Sequence, residues 1–75
     1  MPELRRVSGE AAAHALERLG FIRVRQRGSH LVMKKRTYEG TTGCVVPMHR
    51  TLAIGTLRSV LRQAKVTPEE FLAVL

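Results

Sequence analysis

Tryptophan is absent from this 75-residue chain, and its only aromatic residues are Phe21, Tyr38 and Phe71. So few rings argue against a base-stacking platform built from several exposed aromatics, the more so because Phe21 and Phe71 lie among apolar neighbours and read as core. Cysteine is nearly absent too. Cys44 stands alone, can form no internal disulfide, and sits beside Val45 and Val46 in what reads as a buried strand, so it is assigned to the core rather than to chemistry. Three separated histidines and one cysteine do not make a zinc-ligand spacing, and neither a structural metal nor a cofactor is expected. Phosphate-loop and dinucleotide glycine motifs are missing, as is a paired-carboxylate site, which leaves nucleotide hydrolysis and hydride transfer without support. No apolar run approaches the roughly 20 residues that cross a bilayer. The segment from Met1 to Arg6 also lacks the apolar stretch of a signal peptide, so a cytoplasmic chain with no membrane contact is expected.

Acidic residues are the last shortage. Six Asp and Glu face 13 Lys and Arg, for a formal charge of +7. An excess of that size on a small surface favours a polyanionic partner, nucleic acid foremost; a basic surface kept for solubility or neutralised by an acidic protein is the alternative. With 44% hydrophobic and 25% charged residues the composition is that of a folded globular chain, and the length allows one domain spanning residues 1–75.

Local signals then divide the chain. Ser8 at an N-cap position, Glu10 in the first turn and Gly20 at the end define a first helix whose apolar stripe is Ala12, Ala15, Leu16 and Leu19. Residues Phe21 to Arg27 alternate, which predicts a strand with Ile22 and Val24 on the core face and Arg23, Arg25 and Arg27 on the other. Gly28 and Ser29 make a turn. A second strand from His30 to Arg36 follows, with Leu31 and Met33 inward and His30, Val32 and Lys34 outward. Thr37 to Gly43 reads as a polar loop before a short third strand, Cys44 to Val46, that Pro47 ends. Ala53 to Lys65 is an amphipathic helix, and Thr67, Pro68, Glu70 and Phe71 carry the start signals of a short last one. The expectation is an α+β fold: a three-stranded antiparallel sheet with helices packed on one face and the other face free.

His30 is the candidate for chemistry. Imidazole exchanges protons near neutrality because its unperturbed pKa is ~6.5. The RNA 2′-hydroxyl can attack the adjacent phosphorus once a base removes its proton, while cations neutralise the phosphate. Arg25, Arg27, Lys34 and Lys35 surround His30 in the sequence. A turn-proximal histidine that is simply polar surface is the plainer reading. His14 belongs to the helix surface, and His49 is either a second acid, a phosphate contact, or a loop residue that packs.

Several blocks taken together are more specific. Leu19-Gly20-Phe21, Arg25-Gln26-Arg27-Gly28-Ser29-His30, Val46-Pro47-Met48-His49, Gly55-Thr56-Leu57-Arg58-Ser59-Val60-Leu61 and Glu69-Glu70-Phe71 occur in that order. In order and spacing this resembles the HicA family of toxin–antitoxin ribonucleases, over about residues 8–71. The resemblance implies a fold like the double-stranded-RNA-binding domain, α-β-β-β-α, and the activity of an mRNA interferase that stops growth by cutting transcripts. It implies that the histidine of the glycine-serine-histidine motif, His30, is catalytic, and that a small HicB-like antitoxin covers it. Arg25, Arg27, Gly28, Ser29, Lys34 and His49 complete the expected RNA-binding set, and an acidic antitoxin surface is expected over Arg23, Arg25, Arg27 and His30. A non-catalytic RNA-binding module on the same basic face is the second hypothesis.

Overall fold

Ser8 caps the first helix as its position requires: its backbone is extended, and its hydroxyl accepts from the Ala11 N–H at 2.9 Å. A computed structural model describes residues 3–75 of the chain. The reading of Met1 to Arg6 as lacking a leader therefore lies partly outside the described residues. The order is α1 (Gly9–Arg18), β1 (Ile22–Arg27), β2 (His30–Thr37), β3 (Gly40–Pro47), α2 (Ile54–Ala64) and α3 (Pro68–Val74). The strands form one antiparallel sheet in the order β1-β2-β3, and the helices cover one face of it, giving the α+β architecture expected. No described helix is long and apolar enough to cross a membrane.

The core lies between that face and the helices. Met33 and Leu31 from β2, Val46 and Cys44 from β3, Leu57, Val60 and Leu61 from α2, and Phe71 from α3 meet Leu16 and three alanines of α1. The buried stripe of α1 is wider than its sequence pattern suggests, because the helix touches β1, β3 and α3 at once and Ala13 is enclosed along with Ala12 and Ala15. Leu19, at the edge of the stripe, is only half-buried. Burial also pushes the Cys44 thiol up to about 11, which keeps it protonated and unreactive.

Two elements differ from the sequence reading. The stretch Thr37 to Gly43 is not a loop: β2 runs through Thr37, Tyr38 and Glu39 turn, and β3 starts at Gly40. Gly40 has φ +127, which permits so tight a reversal, and the Thr37 hydroxyl donates to the Gly40 carbonyl at 3.0 Å. Thr41 and Thr42 suit an extended backbone, and they pair with Arg36 and Lys35.

The second difference is in β1. Ile22 and Val24 are not core residues; they remain 65% and 47% exposed. A bulge between Arg23 and Arg25 inserts Val24 as an extra residue, so that Arg23 pairs with Met33 but Arg25 pairs with Val32. Residues opposite one another on antiparallel strands share a face, and one inserted residue reverses which side the rest of the strand presents. Before the bulge, Phe21 supplies the core contact and Arg23 faces the helices. After it, Gln26 faces them, and Arg25 and Arg27 face solvent.

One close approach locks α1 to the end of β3. Gly9 opens α1 against the end of β3, where a Cβ would lie 2.2 Å from the Pro47 carbonyl oxygen and 2.8 Å from the Met48 Cα. Its N–H donates to the His49 carbonyl at 2.9 Å. Gly9→Ala should therefore lower stability by about 1–3 kcal/mol, the usual cost of overpacking, because backbone rather than a flexible side chain must move. Gly55→Ala, at a helical glycine with open space around it, should be neutral or stabilising by up to about 1 kcal/mol. Urea unfolding of the two variants checks this, and a Gly9→Ala midpoint equal to that of the parent would disprove the close approach.

Candidate active site

The turn that carries His30 is built by Gly28 and Ser29. Gly28 takes φ +55, and a Cβ added there would meet nothing within 4 Å, so glycine is needed here for its backbone rather than for space. The Gln26 amide donates to the Gly28 carbonyl at 3.0 Å. On the other side the Ser29 carbonyl accepts from the Met48 N–H, which ties the turn to the segment after β3. That segment is held twice more, by Gly9 N–H on His49 and by Leu52 N–H on the Val7 carbonyl at 2.7 Å. Leu52 is buried and acts as its apolar anchor, a role its sequence context did not reveal.

Pairing across the sheet sets out the free face in rows. Arg27, His30 and Pro47 form the first; Arg25, Val32 and Val45 the second; Ile22, Lys34 and Gly43 the third; Arg36 and Thr41 the fourth. His30 thus sits between Arg27 and Pro47 at one end, and all of Arg25, Arg27, Gly28, Ser29 and His30 are exposed. Lys34 shares the face but lies four residues along β2, about 13 Å from the His30 row at a strand rise of ~3.3 Å per residue. His49 is exposed two residues beyond Pro47, on the clamped segment.

Two basic residues drawn to the site by their sequence neighbourhood lie elsewhere. Lys35 points to the helix side, with its ammonium 5.8 Å from the centre of the Phe21 ring. Arg23 does so too. Its guanidinium bonds Glu10 and reaches Glu17 at 3.2 Å, both on α1. This removes Arg23 from the surface expected to be covered together with Arg25, Arg27 and His30.

The histidines separate in the same way. Both ring nitrogens of His14 lie against carboxylates, Nε2 3.1 Å from Glu10 and Nδ1 3.4 Å from Glu17. Among the described residues His30 has no such partner, and the four rows of the free face hold no carboxylate. The described side chains form no group of three or more His, Cys, Asp or Glu arranged to hold a metal ion.

A family model described as the HicA toxin of bacterial toxin–antitoxin matches residues 9–66, from the first residue of α1 to the loop before α3. The chain belongs to the HicA toxin family. The matched span contains the complete sheet and each candidate residue from Arg25 to His49. A HicA-family toxin implies an antitoxin as partner. No curated protein matches the chain.

The Arg23 contact has a consequence for acid stability. Its hydrogen bond, with its charge and that of His14 in support, holds the Glu10 carboxyl below the ordinary value against a smaller opposing effect of desolvation. A carboxyl lowered in the folded state adds stability above its unfolded value of about 4.3 and loses that addition as pH falls through the folded value. The urea midpoint should fall on acidification from about pH 6 to 3, and more shallowly in Glu10→Gln. Identical pH dependence in the two proteins would mean that Arg23 is not held by Glu10.

Proposed function

We propose that this HicA-family chain is an endoribonuclease that cuts mRNA in the cytoplasm, with His30 as general base and no requirement for a metal. The observation that carries the reading is the position of His30: exposed beside Arg27 on a face without carboxylates, while His14 is occupied by two. Gly28 and Ser29 shape the turn that presents the imidazole, and Met48 steadies the turn through Ser29.

In the proposed reaction His30 removes the proton of a 2′-hydroxyl, and the oxygen attacks the adjacent phosphorus. The bond to the 5′-oxygen breaks as the new one forms. The products are a 2′,3′-cyclic phosphate and a 5′-hydroxyl that has gained a proton from an acid. Arg27, in the same row, and Arg25, in the next, neutralise the phosphate as charge builds on its oxygens. Lys34, two rows away, is assigned a neighbouring phosphate of the strand rather than the reacting one. His49, exposed on the segment beyond Pro47, contacts RNA near the turn. A HicB-type antitoxin silences the enzyme by covering this end of the sheet.

His30→Ala should lower cleavage by about 10²–10⁴-fold, the usual contribution of a positioned acid or base. RNA affinity and the circular dichroism spectrum should be unchanged, since the side chain is exposed and outside the core. The parent should leave 2′,3′-cyclic phosphate ends in the presence of EDTA and spare a substrate with a 2′-deoxy sugar at the scissile position. Full activity in His30→Ala removes the histidine from the mechanism. Binding without cleavage by the parent leaves an RNA-binding module, and cutting of the deoxy substrate points to an activated water instead.

A further inference from the structure

The free face holds more than cations. Ile22, Val24 and Val45 are 65%, 47% and 40% exposed, and Val32 lies between the two outer strands among them. At the end of the sheet away from His30, Ile22 and Val24 join Lys34, Arg36 and Thr41 around a shallow groove of about 400 Å³. RNA has little use for such a groove. Bases bind through their π-faces to aromatic rings or guanidinium planes; of the groove's lining Arg36 alone offers either, and Ile22 and Val24 offer neither. A contiguous patch of branched aliphatic side chains left in water is instead what a protein partner covers, and pockets at such contacts receive the anchoring side chains of the partner.

Family membership supplies the partner, an antitoxin, and charge supplies its chemistry. The four rows present Arg25, Arg27, Lys34 and Arg36 with no carboxylate. An acidic protein is therefore steered onto this face, where the groove at Ile22 and Val24 can receive its apolar side chains. We propose that the groove at Ile22 and Val24 anchors the antitoxin, which inserts apolar side chains flanked by carboxylates that pair with Lys34 and Arg36. Its anchor lies about 13 Å from the His30 row at ~3.3 Å per residue, measured from Lys34. Recognition of the antitoxin is then separable from the chemistry: the partner holds on at one end of the sheet and reaches over the other. The inhibitory part of this inference rests on the reading of His30 as the cutting end, whereas the anchoring part rests on family membership alone.

The test uses the full chain carrying Ile22→Ser and Val24→Ser, and as probe the purified product of the reading frame adjacent to this chain's own. Both positions are exposed, so a native circular dichroism spectrum is expected. Antitoxin affinity should fall by at least about tenfold, as for the loss of anchor contacts. Cleavage without antitoxin, and RNA affinity, should stay within about twofold of the parent, and more antitoxin should be needed to stop cleavage. Undiminished affinity, or a parent chain that does not bind the probe, overturns the proposal. So does a parallel loss of RNA affinity, which would give the groove to the nucleic acid. Sedimentation of the chain alone gives a further check: a dimer dissolved by the two substitutions would make a second copy the occupant. Should the parent cut no RNA, the affinity measurement still decides the anchor, and only the ribonuclease reading falls.

Discussion

A helix that starts on glycine because no side chain fits is the constraint on which the rest of this small domain depends. Gly9 brings the first turn of α1 against the Pro47 carbonyl, its N–H donates to the His49 carbonyl, and Met48 donates in turn to Ser29. Three segments far apart in sequence meet there: the start of α1, the β1–β2 turn and the strand end after β3. Since His30 pairs with Pro47, whatever fixes Pro47 also fixes the backbone from which the imidazole projects. The backbone of the candidate site thus stands on contacts between main-chain groups of three separate segments. A chain this short buries a thin core, and a backbone clamp of this kind positions a site without needing more of one.

The bulge at Val24 complements that clamp by sorting charge. One inserted residue sends Arg23 to the carboxylates of α1 and leaves Arg25 and Arg27 on the open face. Glu10 and Glu17 occupy Arg23 and flank His14, while Glu69 and Glu70 lie in the first turn of α3, where Glu70 closes a capping box with Thr67. Four of the six acidic residues belong to helices, whereas the four rows of the uncovered sheet face carry Arg25, Arg27, Lys34 and Arg36 and no carboxylate. Such segregation concentrates a field where a polyanion or an acidic protein arrives. The sheet edges are guarded as well. The Gln63 side chain of α2 accepts the Val45 N–H of β3 at 2.9 Å, and the bulge and arginines interrupt β1, so neither edge offers a long regular template for another strand.

Much of this was legible in the sequence, where the interactions are local. The Ser8 cap, the Thr67 capping box and the Gly28-Ser29 turn join residues two to four apart, and each residue's chemistry states its own geometry. The alternation of β2 was legible for a related reason, because Leu31 and Met33 are both large and both buried. The two-residue turn at Tyr38 and Glu39 was hidden by composition: glycines and threonines look alike in a loop and in a strand, and the pairing of Arg36 with Thr41 decides between them.

By itself, then, the sequence determined the number and order of the elements, the turn that displays His30, the family, and the sign of the surface. Only the tertiary structure decided which face of β1 is the core, which arginine is structural and which is available, and that Gly9 must be glycine. The physical reason is range. Caps and turns are settled by neighbours along the chain, but an alternating strand such as Ile22 to Arg27 has two equivalent faces until something packs on one of them. The covering helix carries Glu10 and Glu17, and these, with one bulge, drew Arg23 inward and left Ile22 and Val24 in water.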